Sequence, residues 1–286
     1  MKYGVIDIGS NSVRLMINES GKTLYKKVKT TRLAENMSAD GCLSIEAVER
    51  TVLAVSFFVK EAKEQLVDKI SVFATAAVRK AKNAVYFNSA VKEACDVIVD
   101  VLSGEDEAKA GYLGALVGGN GAVLDVGGAS TELSVVVDGN AIYSKSIYLG
   151  AVTTTDICGQ DLLKATYHAK EQINTFEDVD VKNMVAIGGT ATTIASMLLE
   201  LEVYNPEKVD KFIIEYKKLK ELQNKIYLLS VEERKKLVGL QPERAKVIGS
   251  GITIVVQIMK RFNIDKIAVS ESDNLEGYLR LKGEIL

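Results

Sequence analysis

Two segments of the chain place an acid at the tip of a glycine turn. Tyr3 to Ile17 (YGVIDIGSNSVRLMI) and Gly121 to Val135 (GAVLDVGGASTELSV) share one design, with Asp7 on Asp125, Gly9 on Gly127, Ser12 on Ser130 and Leu15 on Leu133, an offset of 118 residues. In each, an apolar, β-branched run reads as a buried strand, followed by the Asp, the turn and a second strand. Glycine lets the backbone come close to a ligand, and successive N–H groups with Ser or Thr hydroxyls make an anion nest. A single Asp-x-Gly reads best as a turn whose Asp bonds its own backbone. Two copies half a chain apart describe one unit used twice. Facing each other across an interface, the tips would line a cleft with Asp7, Asp125 and two nests, which suits a metal-bound polyphosphate.

A third glycine site, VAIGGTATTIASM from Val185 to Met197, runs a strand into Gly188-Gly189-Thr190 and then a helix. That order puts a helix N-terminus and the hydroxyls of Thr190, Thr192 and Thr193 where a phosphate could dock, although the segment is neither a dinucleotide fingerprint nor a P-loop. The acids Glu105, Asp106 and Glu107 follow Ser103-Gly104. The first two complement a helix dipole, whereas Glu107 could point into a cleft as general base for a water attacking phosphorus. Glu132 takes the repeat position of Arg14. Arg14 could then clamp a phosphate while Glu132 and Asp125 hold Mg²⁺ or position water; both residues read equally well as solvent-facing strand positions. Arginine is scarce, with eight in the chain, so Arg32 and Arg79, each read in a loop, are candidate phosphate forks. Lys26-Lys27 and Arg234-Lys235-Lys236 read as solvated faces.

What the chain lacks narrows the chemistry. A single histidine, His168, excludes paired-imidazole metal sites, so metal chemistry must rest on carboxylates. Cys42, Cys95 and Cys158 form no Cys-x-x-Cys pair and read as buried thiols of a reducing cytoplasm. With 36 Lys+Arg against 38 Asp+Glu, net charge gives no reason to expect nucleic acid or an anionic membrane as partner. The N-terminus carries polar residues inside its apolar run, unlike a signal peptide, and no uninterrupted apolar run is long enough to span a bilayer. A cytoplasmic, soluble protein is expected. At 286 residues, 47% of them hydrophobic, two domains with real cores are expected, 1–118 and 119–286, with a boundary near Gly118 to Asn120 and the last helix free to pack back on the first domain.

These groups need an α/β framework to position them. Helices are predicted over 44–66, 84–95, 105–116, 160–176, 212–229, 245–261 and 275–281, and strands over 70–77, 97–102 and 266–269 between them. Strands alternate with helices in both halves.

Taken together, VIDIGSNSVRL, TRLAEN, ATAAVRKAKN, VLSGEDEAKAGYLGA, VLDVGGASTEL, SIYLGAVTTTD, IGGTATT, PERAKVIGSG and VSESDNLEGYL resemble, in order, the motifs of the exopolyphosphatase and guanosine pentaphosphate phosphatase family. That family lies within the actin, hexokinase and Hsp70-like ATPase superfamily. The resemblance implies two ribonuclease-H-like domains with an interdomain active-site cleft, Mg²⁺ dependence, a homodimer, and hydrolysis of the terminal phosphate of inorganic polyphosphate or guanosine pentaphosphate. It places Glu107 as the catalytic glutamate and Asp125 and Glu132 as the acids of the second repeat. Asp7, Ser10, Asn11, Arg14, Arg79, Gly127, Gly128, Ser130, Thr131, Gly189 and Thr190 would line the phosphate and metal cleft. Departures occur at Ala129, Ala34 and Asn36, where the family has glycines, at Lys109 for Arg, and at Lys246 for Asp. The chain resembles the short form, without the appended helical domains of longer members.

Three functions compete. A Mg²⁺-dependent phosphohydrolase leads. A non-catalytic sensor of guanosine tetra- or pentaphosphate or of polyphosphate, suggested by the lost glycines, comes second. An ATPase or kinase of the same superfamily comes third.

Overall fold

The structure is a computed structural model and describes residues 1–35, 37, 41–116 and 119–286. Asn36 and Gly118, the first residue of the expected domain boundary, lie outside the described residues. The first half contains β1 (Lys2–Ile8), β2 (Ser12–Glu19), β3 (Lys22–Thr30), α1 (Ile45–Glu64), β4 (Lys69–Ala74), α2 (Ala76–Lys80), α3 (Ala84–Cys95), β5 (Val99–Val101) and α4 (Gly104–Ala115). The second contains β6 (Gly121–Val126), β7 (Thr131–Val137), β8 (Asn140–Ile147), α5 (Ala151–Cys158), α6 (Leu162–Ile173), β9 (Met184–Ile187), α7 (Gly188–Leu198), α8 (Pro206–Val209), β10 (Ile213–Glu215), α9 (Tyr216–Leu228), α10 (Val231–Arg234), α11 (Ile248–Arg261), β11 (Lys266–Val269) and α12 (Asn274–Leu281).

Each half builds one sheet, and the two sheets repeat a topology. The first has the order β3-β2-β1-β4-β5, and the second β8-β7-β6-β9-β11 with β10 added at its edge. In both, three strands form an antiparallel meander and the next pair in parallel beside the first. The repeat seen in the sequence is therefore a repeat of β1–β2 in β6–β7, with Asp7 and Asp125 near the C-terminal ends of the central strands. β1 is buried on both faces from Tyr3 onward, which explains its near-continuous apolar run.

Local chemistry sets the helix starts. Ser44 caps α1 by accepting the Ala47 N–H, Ser103 caps α4 by accepting the Asp106 N–H, and Asp273 caps α12 with Glu276 closing a capping box. α11 is buried almost all round, as its apolar run IGSGITIVVQIM requires in the middle of a core. The last helix, α12, lies against α4 and the face of β1: Leu275, Tyr278 and Leu279 share a core with Tyr3, Val5, Met16, Phe73 and Leu102. The two helices touch through backbone, for a Cβ at Gly277 would fall 1.6 Å from the Ala110 carbonyl oxygen. This contact sets the start of α12 beside the C-terminal half of α4, with Asn274 against Gly111 and Asp273 against Gly114.

Two expectations are corrected. The predicted 70–77 strand stops at Ala74, and Ala76–Lys80 turns as a short helix, so Arg79 is on a helix, not in a loop. Alanine-rich sequence at a sheet exit favours that turn. Within 212–229 the first residues form edge strand β10 against β11 before α9 begins, because pairing to an open sheet edge overrides the helical pattern. No described helix is long and apolar enough to cross a membrane.

Candidate active site

The two repeated tips meet. Gly9 N–H donates to the Ser12 carbonyl at 3.0 Å, and Gly127 N–H donates to the Ser130 carbonyl at 2.9 Å, so both turns close the same way. Gly128 lies against Ser10 and Asn11 of the other turn. The segment TRLAEN braces the first turn: the Thr31 and Arg32 N–H groups both donate to the Asn11 carbonyl, and the Ala34 N–H to that of Ser10. Between the tips and the start of α7 is a cavity of about 80 Å³. It is lined by Asp7, Ser10, Asn11, Arg14, Glu107, Asp125, Gly127, Gly128, Ser130, Gly189 and Thr190, with Thr75, Gly188, Arg244 and Asn274.

The repeat's asymmetry has a geometric basis. Asp7 stands directly opposite Arg14 on β1 and β2, and Asp125 stands directly opposite Glu132 on β6 and β7. The first register position holds an ion pair, Arg14 Nη2 to Asp7 Oδ2 at 2.5 Å and Nε to the same oxygen at 2.9 Å. The second holds two carboxylates, a destabilising choice for a cross-strand pair. Glu132 is buried and the Arg14 side chain only 15% exposed, so the solvent-facing reading of both falls. Arg14 is also gripped from the second half by Asp273.

Burial raises the basicity of the carboxyls here. It pushes Asp125 up to about 7, against the pull of Arg14 and with help from Glu107 and Asp273. It raises Glu132 well above the usual range, reinforced by Glu107 and Asp125. It raises Glu107 too, while Arg79 Nη1, 2.7 Å from Oε2, and a Thr75 hydrogen bond hold it back. Asp273 goes the other way: Arg14 and Lys26 outweigh burial and keep it below the ordinary range. Burial and the neighbouring Arg14 push Arg244 down to about 10, and its Nε donates to Gln241 Oε1 at 3.2 Å.

The structure leaves Thr131 out of the cleft: it is fully buried and its hydroxyl donates to the Leu149 carbonyl at 2.5 Å. Arg79 does not itself line the cavity; it donates to Glu107, which does, and to the Leu102 carbonyl. Arg32 donates to the Glu243 carbonyl at 3.2 Å. The hydroxyls of Thr190, Thr192 and Thr193 each donate to a backbone carbonyl, at 2.6, 3.2 and 2.6 Å, which uses the single proton a phosphate would need. What faces the cavity at the third site is the helix start, where α7 has no side-chain cap and Gly188 has φ +77. Any Cβ at Gly188 would lie 2.5 Å from Asp125 Oδ1. Ala129 is buried without a left-handed φ, so the position does not need the missing glycine. Lys109 is exposed, and Lys246 Nζ donates to Glu35 Oε1 at 2.9 Å.

Arg244, Asp273, Asn274 and Thr75 were not singled out by residue type. PERAKVIGSG and VSESDNLEGYL contain the first three, and the Asp273-x-x-Glu276 capping box marks where α12 begins.

Mg²⁺ fits the donor set. Asp7 Oδ1 and Glu132 Oε2 are buried without hydrogen-bond partners, as are both polar atoms of the Asn11 carboxamide and Asn274 Oδ1, half of the ten such atoms among the described residues. Among the described residues no three His, Cys, Asp or Glu side chains form a metal cluster. An ion that takes one or two carboxylates and completes its shell with water and phosphate needs no such cage.

The Ppx/GppA phosphatase family profile matches residues 13–280. The chain is 30% identical to a bifunctional 3-dehydroquinate synthase/phosphatase of Fusobacterium nucleatum, over 95% of this chain and 45% of that protein. It is also 30% identical to a guanosine-5'-triphosphate,3'-diphosphate pyrophosphatase of Aliivibrio fischeri, over 96% of this chain and 58% of that one. The chain thus spans about half the length of these relatives. A Ppx/GppA family member from Aquifex aeolicus superposes with a TM-score of 0.80 at 29% identity, covering 99% of this chain and 97% of that one. An exopolyphosphatase from Cytophaga hutchinsonii shares the fold, at TM-score 0.87 and 21% identity over 99% and 98% of the two chains. The duplicated sheets, the cleft between them and these matches identify the fold as two ribonuclease-H-like domains of the actin-like ATPase type, and the chain belongs to the Ppx/GppA phosphatase family.

Proposed function

We propose that the chain is a Mg²⁺-dependent phosphohydrolase that removes the terminal phosphate of inorganic polyphosphate or guanosine pentaphosphate. The observation that carries this reading is the place of Glu107: a buried carboxylate of raised basicity, at the start of α4, opening on a phosphate-sized cavity between two glycine turns. Glu107 takes a proton from water as the water oxygen bonds to phosphorus. The bridging P–O bond breaks, and its electron pair leaves on the departing phosphate oxygen. The backbone of the two turns and of the α7 start, together with Arg244, surrounds the phosphoryl oxygens where negative charge gathers. Asp125 and Glu132, with Asp7 beside them, would hold Mg²⁺, which when bound supplies further positive charge to those oxygens. Arg14, tied to Asp7 and Asp273, fixes the edge of the site.

The names of the relatives support a phosphatase, and one of them a substrate of the guanosine pentaphosphate type. Of the lost glycines that suggest a sensor, Ala129 gives that reading no support, since its backbone is not left-handed.

The test is phosphate release from long polyphosphate, short polyphosphate and guanosine pentaphosphate, with and without Mg²⁺, by wild type and Glu107→Gln. Loss of a general base lowers kcat by about 10²–10⁴. Turnover by Glu107→Gln at the wild-type rate would remove Glu107 from the role.

A further inference from the structure

Asp7, Asp125 and Glu132 each have one carboxylate oxygen engaged, and the partners differ in charge. Asp7 Oδ2 accepts from the Arg14 guanidinium, which brings a positive charge with its hydrogen bonds. Glu132 Oε1 accepts from the Ser146 hydroxyl at 2.6 Å, and Asp125 Oδ2 from the Asn274 amide Nδ2 at 3.0 Å. A hydroxyl and an amide donate without neutralising, so Asp125 and Glu132 keep the charge that Arg14 offsets on Asp7. A carboxylate that holds a divalent ion needs both a fixed direction and a free negative charge.

Ser146 stands opposite Glu132 across β7 and β8, so the sheet itself supplies that donor. Asn274 is different, for it lies 149 residues from Asp125 and reaches it from the first position of α12. Its backbone is fixed beside α4, since a Cβ at Gly114 would fall 2.0 Å from the Asp273 carbonyl oxygen. Its side chain is 4% exposed and equally confined: a Cβ at Gly111 would lie 3.0 Å from Asn274 Oδ1. Gly111 follows Glu107 by one turn on the same face of α4. The amide therefore spans the space between the helix that carries Glu107 and the strand that carries Asp125. Asn274 Oδ1 has no hydrogen-bond donor, so Asp125 alone sets the orientation of the amide; turned over, it would set oxygen against a carboxylate. The other oxygen of Asp125, Oδ1, lies against Gly188, so the carboxylate is held between α12 and the start of α7.

We propose that Asn274 is a positioning residue for Asp125: its amide fixes the direction of the carboxylate and leaves the charge to the metal ion. The inference rests on the phosphohydrolase reading for the identity of the ion, and its first test measures binding of Mg²⁺ alone, apart from turnover.

Calorimetric titration of the full chain with Mg²⁺, without substrate, compares wild type with Asn274→Ala and Asn274→Leu. Leu has the branched outline of Asn and fills the same space without the donor, and both residues are good helix formers. Both variants are expected to bind Mg²⁺ roughly 10–100-fold more weakly. In phosphate release, the Mg²⁺ concentration for half the maximal rate rises by the same factor, while KM for the substrate at saturating Mg²⁺ stays at the wild-type value. A merely loosened fold would instead lower kcat at every Mg²⁺ concentration, which counts against the role. Wild-type affinity for Mg²⁺ in both variants overturns the assignment, as does weakening confined to Asn274→Ala, which traces the effect to packing. Absence of Mg²⁺ binding by wild type overturns it together with the metal site. A protein that shows the expected binding pattern yet releases phosphate from no substrate keeps the positioning role and loses the hydrolase. One that hydrolyses polyphosphate with unchanged Mg²⁺ affinity in both variants keeps the hydrolase and loses the positioning role.

Discussion

Asp125 and Glu132 face each other across β6 and β7 at the register position where β1 and β2 pair Asp7 with Arg14. The same backbone unit thus carries an internally neutralised pair in one half and an unneutralised one in the other. Two carboxylates directly opposite each other destabilise a cross-strand pair, and a cation shared between them relieves that cost. Glu132→Gln should therefore raise the melting temperature of the metal-free protein, by on the order of 1 kcal/mol of stability. It should also abolish the rise that Mg²⁺ produces in wild type, since stabilisation by a ligand follows its affinity for the folded state. Equal Mg²⁺ responses in a thermal scan of the two proteins would show that Glu132 does not hold the ion.

Arg79 governs when Glu107 can act. Burial raises the Glu107 carboxyl and the guanidinium 2.7 Å away draws it back toward the ordinary range. A general base works only when deprotonated, so activity rises with pH through its pKa. In Arg79→Gln the restraint is gone, the base binds its proton more tightly, and the acidic limb of kcat/KM moves upward by roughly one to three pH units. Activity then recovers at alkaline pH. A deficit of the same size at every pH would instead place Arg79 on the phosphate.

Much of this site was legible because its parts are local. The Asp-Gly turns, the Ser103 cap and the glycine pair before α7 are written in consecutive residues, and the 118-residue repeat showed that two of them are equivalent. The engagement of the side chains was not legible, because it depends on pairings between distant segments. Arg14 reads from spacing equally as a phosphate clamp or a solvent-facing strand residue, whereas Asp273, far along the chain, holds it. Thr131 and Thr190 have the right type at the right spacing, yet their protons go to the Leu149 and Val126 carbonyls, which only the fold brings near, while Thr192 and Thr193 bond back to carbonyls one turn earlier in α7. Arg244 was hidden in the opposite way, as an unremarkable residue in a short turn whose burial exists only once α7 lies beside it.

Gly188 combines a backbone requirement with a spatial one. Gly188→Ala places a side chain at φ +77, a conformation costing an L residue about 1–2 kcal/mol, and drives a Cβ to 2.5 Å from Asp125 Oδ1. Gly139, in the β7–β8 turn, has φ +74 with nothing within 4 Å of its Cβ. Gly139→Ala should therefore lose a similar amount of stability and keep its activity, while Gly188→Ala loses activity as well. If phosphate release falls equally in both variants, strain alone accounts for the loss and Asp125 is not displaced.

Lys246 and Glu35 join the two halves by an ion pair. Lys246 Nζ donates to Glu35 Oε1 at 2.9 Å, and this bond, against a smaller push from burial, holds the Glu35 carboxyl below the ordinary range. An acid whose folded pKa is depressed stabilises the fold above its unfolded value, about 4.3, and loses that contribution as pH falls through the folded value. The pair is partly exposed, so a double-mutant cycle of Glu35→Gln and Lys246→Met should return about 0.2–1 kcal/mol at neutral pH. That coupling shrinks as the solution is acidified below pH 4. Restoring the family's usual acid, Lys246→Asp, sets two carboxylates against each other and destabilises the protein at pH 7 but much less at pH 3, where both are protonated. Urea unfolding at the two pH values measures the difference, and a Lys246→Asp penalty independent of pH would mean that the contact between the halves is held by packing and not by charge.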